Sequence, residues 1–123
     1  MKRADLTTPE SQWLRSMHER FPVLFGFIAR PGEQLYELSA GWRGLVEDAA
    51  VELSAMPGSP AVIGRLKEKL GSLRIQLRDT SPEAYDIVMR ADQQSLTTCA
   101  ECGESCDPVP MYSTPCCTAC AVG

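Results

Sequence analysis

The chain has 123 residues, 44% of them hydrophobic and 23% charged. That length and balance suit one globular domain with a small appended module, and they exclude a disordered or fibrous chain. The longest apolar run, Val23 to Ala29, is seven residues against the ~20 a membrane-spanning helix needs. A net charge of −4 argues against whole-molecule steering to nucleic acid. The start, Met1-Lys2-Arg3-Ala4-Asp5, has no apolar stretch after its basic pair, so neither export nor a membrane location is expected.

In chain order, Thr8-Pro9-Glu10 opens a helix with a hydroxyl cap, a proline in the first turn and an acid facing the dipole. Trp13, Leu14, Met17 and Phe21 give it one apolar face before Pro22 stops it. Residues 23–39 read as an apolar loop or short strands, with Phe25 and Phe27 as core candidates and a turn at Arg30-Pro31-Gly32. A second helix is predicted from Trp42 to Ala55, burying Trp42, Leu45, Val46, Ala49 and Leu53 and wetting Arg43, Glu47, Asp48 and Glu52. The stretch Pro57-Gly58-Ser59-Pro60 ends it.

Leu73, Ile75 and Leu77 alternate with Arg74, Gln76 and Arg78, as in a half-buried strand. Residues 61–68 fit a helix period as well, but a lone strand is not stable, so they are read as its hairpin partner, turning at Leu70-Gly71-Ser72. Ser81-Pro82-Glu83 opens a third helix, expected to turn Tyr85, Val88, Met89 and Leu96 inward.

All six cysteines fall between Cys99 and Cys120, which is unlike the dispersed staples of a disulfide-held domain and typical of a metal site. Cys99-Ala100-Glu101-Cys102 and Cys117-Thr118-Ala119-Cys120 form two C-x2-C pairs with 14 residues between them. Each pair presents two thiolates from one tight turn, and two such knuckles close a tetrahedron around Zn2+. Gly103 follows the first pair where a knuckle turn favours positive φ. Few large apolar residues lie beyond Cys99. Metal binding, on the order of 10–16 kcal/mol in small finger peptides, would order the segment. Cys106 and Cys116 are alternative ligands, in place of Cys102 and Cys117 respectively. Four thiolates leave no open coordination position, which makes the site structural.

The resulting fold class is α+β: a body of about three helices and a β-hairpin over 1–96, and a four-cysteine zinc-ribbon tail over 97–123. No catalytic constellation is found. His18 is the only histidine and is explained by a helix surface. His18-Glu19-Arg20 and Pro115-Cys116-Cys117 do not make a zinc deaminase pair, and neither a phosphate loop nor a nucleophile elbow is present. The chain is therefore expected not to be an enzyme.

Partners divide by charge. No lysine or arginine follows Thr98, whereas Glu101, Glu104 and Asp107 do, so the tail repels phosphate. The basic residues Arg65, Lys67, Lys69, Arg74 and Arg78 concentrate in the hairpin. They suit either a phosphate-contacting ribbon or the wet face of an exposed sheet. Tyr112, with Met111 and Pro110 beside it, is a candidate apolar contact for a protein partner.

The ordered segments Glu19-Arg20-Phe21-Pro22, Gly41-Trp42-Arg43-Gly44-Leu45-Val46-Glu47, Leu66-Lys67-Glu68-Lys69-Leu70-Gly71-Ser72-Leu73-Arg74-Ile75 and Thr98-Cys99-Ala100-Glu101-Cys102-Gly103 carry a resemblance over most of the chain. It resembles a set of small phage and prophage proteins with the patterns E-R-[FY]-P, G-W-x-x-L-[IV]-[DE], I-K-E-K-F-G-x-L-R-F and T-C-x-x-C-G, ending in C-x-x-C. The chain departs from them at Tyr112, where a Trp-rich approach is common, and in the added Cys106 and Cys116. The resemblance implies zinc on Cys99, Cys102, Cys117 and Cys120. It also implies a viral accessory protein in the bacterial host cytoplasm, binding a bacterial host or defence protein. The alternatives are a nucleic-acid-binding regulator using residues 65–78 and a structural virion or assembly component.

Overall fold

A computed structural model of the chain describes residues 9–26, 38–57, 61–78, 81–110 and 113–122. The Thr8 cap, Phe27, the Arg30-Pro31-Gly32 turn, Met111 and Tyr112 lie outside the described residues. The chain forms α1 (Pro9–Arg20), a 3-10 turn (Ala40–Trp42), α2 (Arg43–Ser54), β1 (Ile63–Lys69), β2 (Ser72–Leu77), α3 (Pro82–Ser95) and a short α4 (Thr118–Val122). It is an α+β fold with one antiparallel hairpin and a C-terminal group of four neighbouring cysteines.

The apolar periodicity of α1 is used as its spacing implies. Met17 is fully buried, and Trp13, Leu14 and Phe21 pack around the same core. The chain then doubles back through 21–26, placing Phe25 edge-on to Trp13 with ring centroids 6.5 Å apart, a favourable aromatic geometry. The carbonyl of Leu24 accepts the N–H of Ile63 at 2.8 Å, so this loop covers part of the outer edge of β1. On α2, Val46, Ala49, Ala50 and Leu53 are buried. Trp42 is buried as well, but it sits in the 3-10 turn that leads into the helix.

The hairpin pairs Lys69 with Ser72 around Leu70 and Gly71, whose φ values of 55° and 81° define the two-residue turn that matches strand twist. A bulge between Ile63 and Arg65 shifts the register by one residue. The shift puts Ile63 on the buried side with Leu66, Leu73 and Ile75; β2 packs on α3, which in turn packs on α2.

Ser81 caps α3, its Oγ accepting the Ala84 N–H at 3.2 Å. The buried face of α3 differs from the expected one. Ala84, Ile87, Val88 and Ala91 point inward, whereas Tyr85 is 53% and Leu96 40% exposed. The fully buried Ser95 fixes this rotation: its Oγ accepts the Leu73 N–H at 2.9 Å, tying the last turn of α3 to the outer edge of β2.

Leu70 is the one described non-glycine residue with positive φ, and it is exposed, so it bears the left-handed penalty without a packing return. Leu70→Asn is expected to raise stability by about 1 kcal/mol in urea denaturation. An unchanged midpoint would show that the turn is not strained.

Candidate metal centre

The first knuckle begins directly after α3. The Cys99 N–H donates to the Glu104 carbonyl at 2.8 Å, and the Gly103 N–H donates to the Cys99 carbonyl at 2.9 Å. Gly103 adopts φ 84°, the conformation a side chain there would resist. Thr98 and Ser105 form an isolated antiparallel bridge across the knuckle, and the Cys106 N–H donates to the Thr97 carbonyl. The second knuckle reaches the first through the Pro115 carbonyl, which accepts the Ala100 N–H at 3.0 Å. Cys117 lies just ahead of α4 and Cys120 within it.

These turns gather the sulfurs of Cys99, Cys102, Cys117 and Cys120, all within 4.8 Å of one another. Cys102 Sγ and Cys117 Sγ are 3.6 Å apart. A tetrahedron with ~2.3 Å metal–sulfur bonds has edges of about 3.8 Å, so the donor set fits a single ion. All six cysteines are free thiols. Cys106 and Cys116 are outside the four-sulfur group, and the Cys116 thiol turns to the Cys117 carbonyl.

The thiols are electrostatically unequal. Backbone N–H groups of Cys117 and then Cys102, directed at its sulfur, pull Cys99 down to about 6 against the opposing effect of burial. Cys102 is also pulled down, by the Glu104 N–H, but the Cys117 thiol and burial outweigh this and leave it raised. The Cys117, Cys102 and Cys99 thiols, followed by burial, hold Cys120 well above the ordinary thiol value. Burial first, and then the proximity of Cys99, raises Cys106 and Cys116.

The body grips the first knuckle through two adjacent residues of the 3-10 turn. The Gly41 N–H donates to the Ala100 carbonyl at 2.8 Å, and the Trp42 indole N–H donates to the Thr98 carbonyl at 2.9 Å. A Cβ on Gly41 would lie 2.1 Å from the Cys99 carbonyl oxygen and 2.7 Å from the Gly103 nitrogen, both immobile backbone atoms. Cys99 and Ala100 are buried, and Ala100 belongs to the main core. The helix period of α2 marks Trp42 as core but carries no sign of this pairing with Thr98, 56 positions away. The Gly41-Trp42 and Thr98-to-Gly103 segments, which stand apart in the sequence, form one contact.

The hairpin register places Arg65, Lys67, Lys69 and Arg74 on a single face, opposite the buried one. Arg74 is partly engaged by Asp92 at 3.5 Å, and Arg65 and Lys69 are exposed. Two of the three α2 acids, Glu47 and Glu52, have structural partners. Glu47 accepts the Trp13 indole N–H at 2.9 Å, and Glu52 pairs with Arg90 of α3 at 2.7 Å. His18 is half-exposed on α1. No helix among the described residues is long and apolar enough to cross a membrane.

Two predictions follow from the geometry. Gly41→Ala should destabilise the protein by more than about 2 kcal/mol and weaken metal binding, because the clash is with backbone; Gly44→Ala in α2, where a Cβ would meet nothing within 4 Å, should leave metal binding unchanged and raise stability by up to about 1 kcal/mol. Equal effects of the two in denaturation and metal titration would refute the close-approach account. Second, the raised Cys102 and Cys120 carry protons at pH 7, and a bound metal needs thiolates. Binding should therefore release at least about two protons and strengthen as pH rises. Calorimetry in buffers of different ionisation enthalpy measures this, and release of fewer than about one would contradict it.

Comparisons of the chain with protein-family models, with curated proteins and with solved structures return no match.

Proposed function

We propose that this protein is a non-enzymatic interaction module whose four-cysteine centre holds a structural Zn2+, and that its target is a bacterial host or defence protein met in the host cytoplasm. The observation that carries the reading is the closure of the site. Four sulfurs surround one point and fill a tetrahedral ion's coordination, leaving no position for water or substrate. The first knuckle is continuous with the core through Ala100, so the metal's contribution is to fold and present a surface. A thiolate set with tetrahedral spacing favours zinc or iron; two C-x2-C pairs closing one four-sulfur position match the ligand pattern of structural zinc ribbons and favour zinc on that ground. The phage setting is supported by the resemblance in the Gly41-Trp42 and Cys99-to-Gly103 segments.

One observation favours a second reading. Four cations on one hairpin face would suit phosphate contacts, making the protein a nucleic-acid-binding regulator. A pull-down from bacterial lysate, with and without nuclease, separates the two readings when zinc-loaded protein is compared with a Cys99→Ser/Cys102→Ser control. A stoichiometric protein that survives nuclease and is lost with the control is the expected result; recovery that vanishes with nuclease would favour the regulator. Metal analysis should give about one zinc per chain, retained in Cys106→Ser and Cys116→Ser and lost in the double control. Iron in place of zinc, or loss of metal from either single variant, would overturn the proposed centre.

A further inference from the structure

We infer that the outer edge of β2, with the groove beside α3, is a binding site for an extended peptide segment of alternating apolar and acidic residues. This deepens the protein-binding reading above and rests on it.

The sheet has two strands, so β2 has one edge paired with β1 and one edge without a strand among the described residues. Hydrogen bonds set the direction of each residue along it. The Arg78 N–H goes to the Val62 carbonyl, towards β1, and the Leu73 N–H goes outward to Ser95 Oγ. Alternation therefore turns the N–H and C=O groups of Ile75 and Leu77 outward as well. Neither of those N–H groups has an acceptor among the described residues. Ser95 and the Arg74–Asp92 ion pair close the hairpin-tip end of this edge, which leaves a short stretch open.

A groove of about 460 Å³ follows the open stretch, with Tyr85, Val88 and Met89 of α3 along one side. Tyr85 is a large, half-exposed aromatic on an otherwise orderly helix. A strand added to β2 would send alternate side chains to opposite faces of the sheet. One set would meet Tyr85, Val88 and Met89 and should be apolar. The other set would emerge on the face that carries Arg65 and Lys67 and should be acidic. Strand addition of this kind takes affinity from main-chain hydrogen bonds and specificity from alternate pockets.

A second copy of the chain is the wrong occupant, because β2 against β2 would bring one basic face beside another. Nucleic acid would use the cations alone and leave the two N–H groups and the apolar side of the groove unused.

The test is an NMR titration of the zinc-loaded, full-length protein with a synthetic peptide alternating valine and glutamate, beside a valine–lysine peptide and a DNA duplex. Movement of the Ile75 and Leu77 amide resonances with the glutamate peptide only is expected. Tyr85→Glu, at an exposed position, should weaken that peptide about tenfold. Leu77→Pro removes an outward N–H without breaking a bond to β1 and should do the same; if it fails to fold, Tyr85→Glu still decides. An unmoved edge, equal binding of the lysine peptide, or a response to DNA alone overturns the assignment. A lysate partner held equally well by Tyr85→Glu would overturn the edge and leave the protein-binding reading standing.

Discussion

The structure depends on how closely two backbones meet. Gly41 lies against Cys99, Ala100 and Gly103 with no room for a Cβ. That contact lets the adjacent Trp42 place its indole N–H on the Thr98 carbonyl while its ring fills the core beneath α2. Any larger residue at position 41 would push the first knuckle outward. The Ala100 side chain, part of the main core, would then withdraw with it. The metal centre and the hydrophobic core are thus held by the same few atoms, and the ordering energy of a bound ion passes into the body through Gly41 and Trp42.

Much of this was legible in the sequence wherever the signal was short-range. The two C-x2-C pairs, the capped start of α3, the apolar stripe of α2 and the Leu70-Gly71 turn are each encoded within a few neighbouring residues. What was not legible depends on distant partners. The apolar residues of α3 identify Val88 as buried but point to Tyr85 and Leu96, which are exposed, and miss Ala84 and Ala91. The helix is rotated by Ser95 bonding to the edge of β2, which no helix period records. The burial of Ile63 beside Leu66 needed the bulge between Ile63 and Arg65, and the partnership of Gly41 with the knuckle needed the fold itself.

Charge is distributed by role. Glu47 and Glu52 of α2, which the helix period places on a solvated face, link it to α1 and α3 through the Trp13 indole and Arg90. The tail beyond Thr98 has no cation to offset its acids or its thiolates, so the N–H groups aimed at Cys99 supply the positive potential that basic side chains provide elsewhere. Four of the twelve cations collect on the hairpin face away from the core. The molecule consequently presents one basic face and an acidic tail on a chain of modest net charge.

The fully buried indole of Trp42 has a consequence for observing the protein. Its ring is sealed from water and hydrogen-bonded to the residue just before the first sulfur ligand, whereas Trp13, near Phe25 and Glu47, is only partly covered. The two fluorophores thus occupy different environments, and one adjoins the metal centre. Opening of the knuckle would wet Trp42 and shift its emission to longer wavelength, so the protein carries an intrinsic optical gauge of whether its cysteines are gathered.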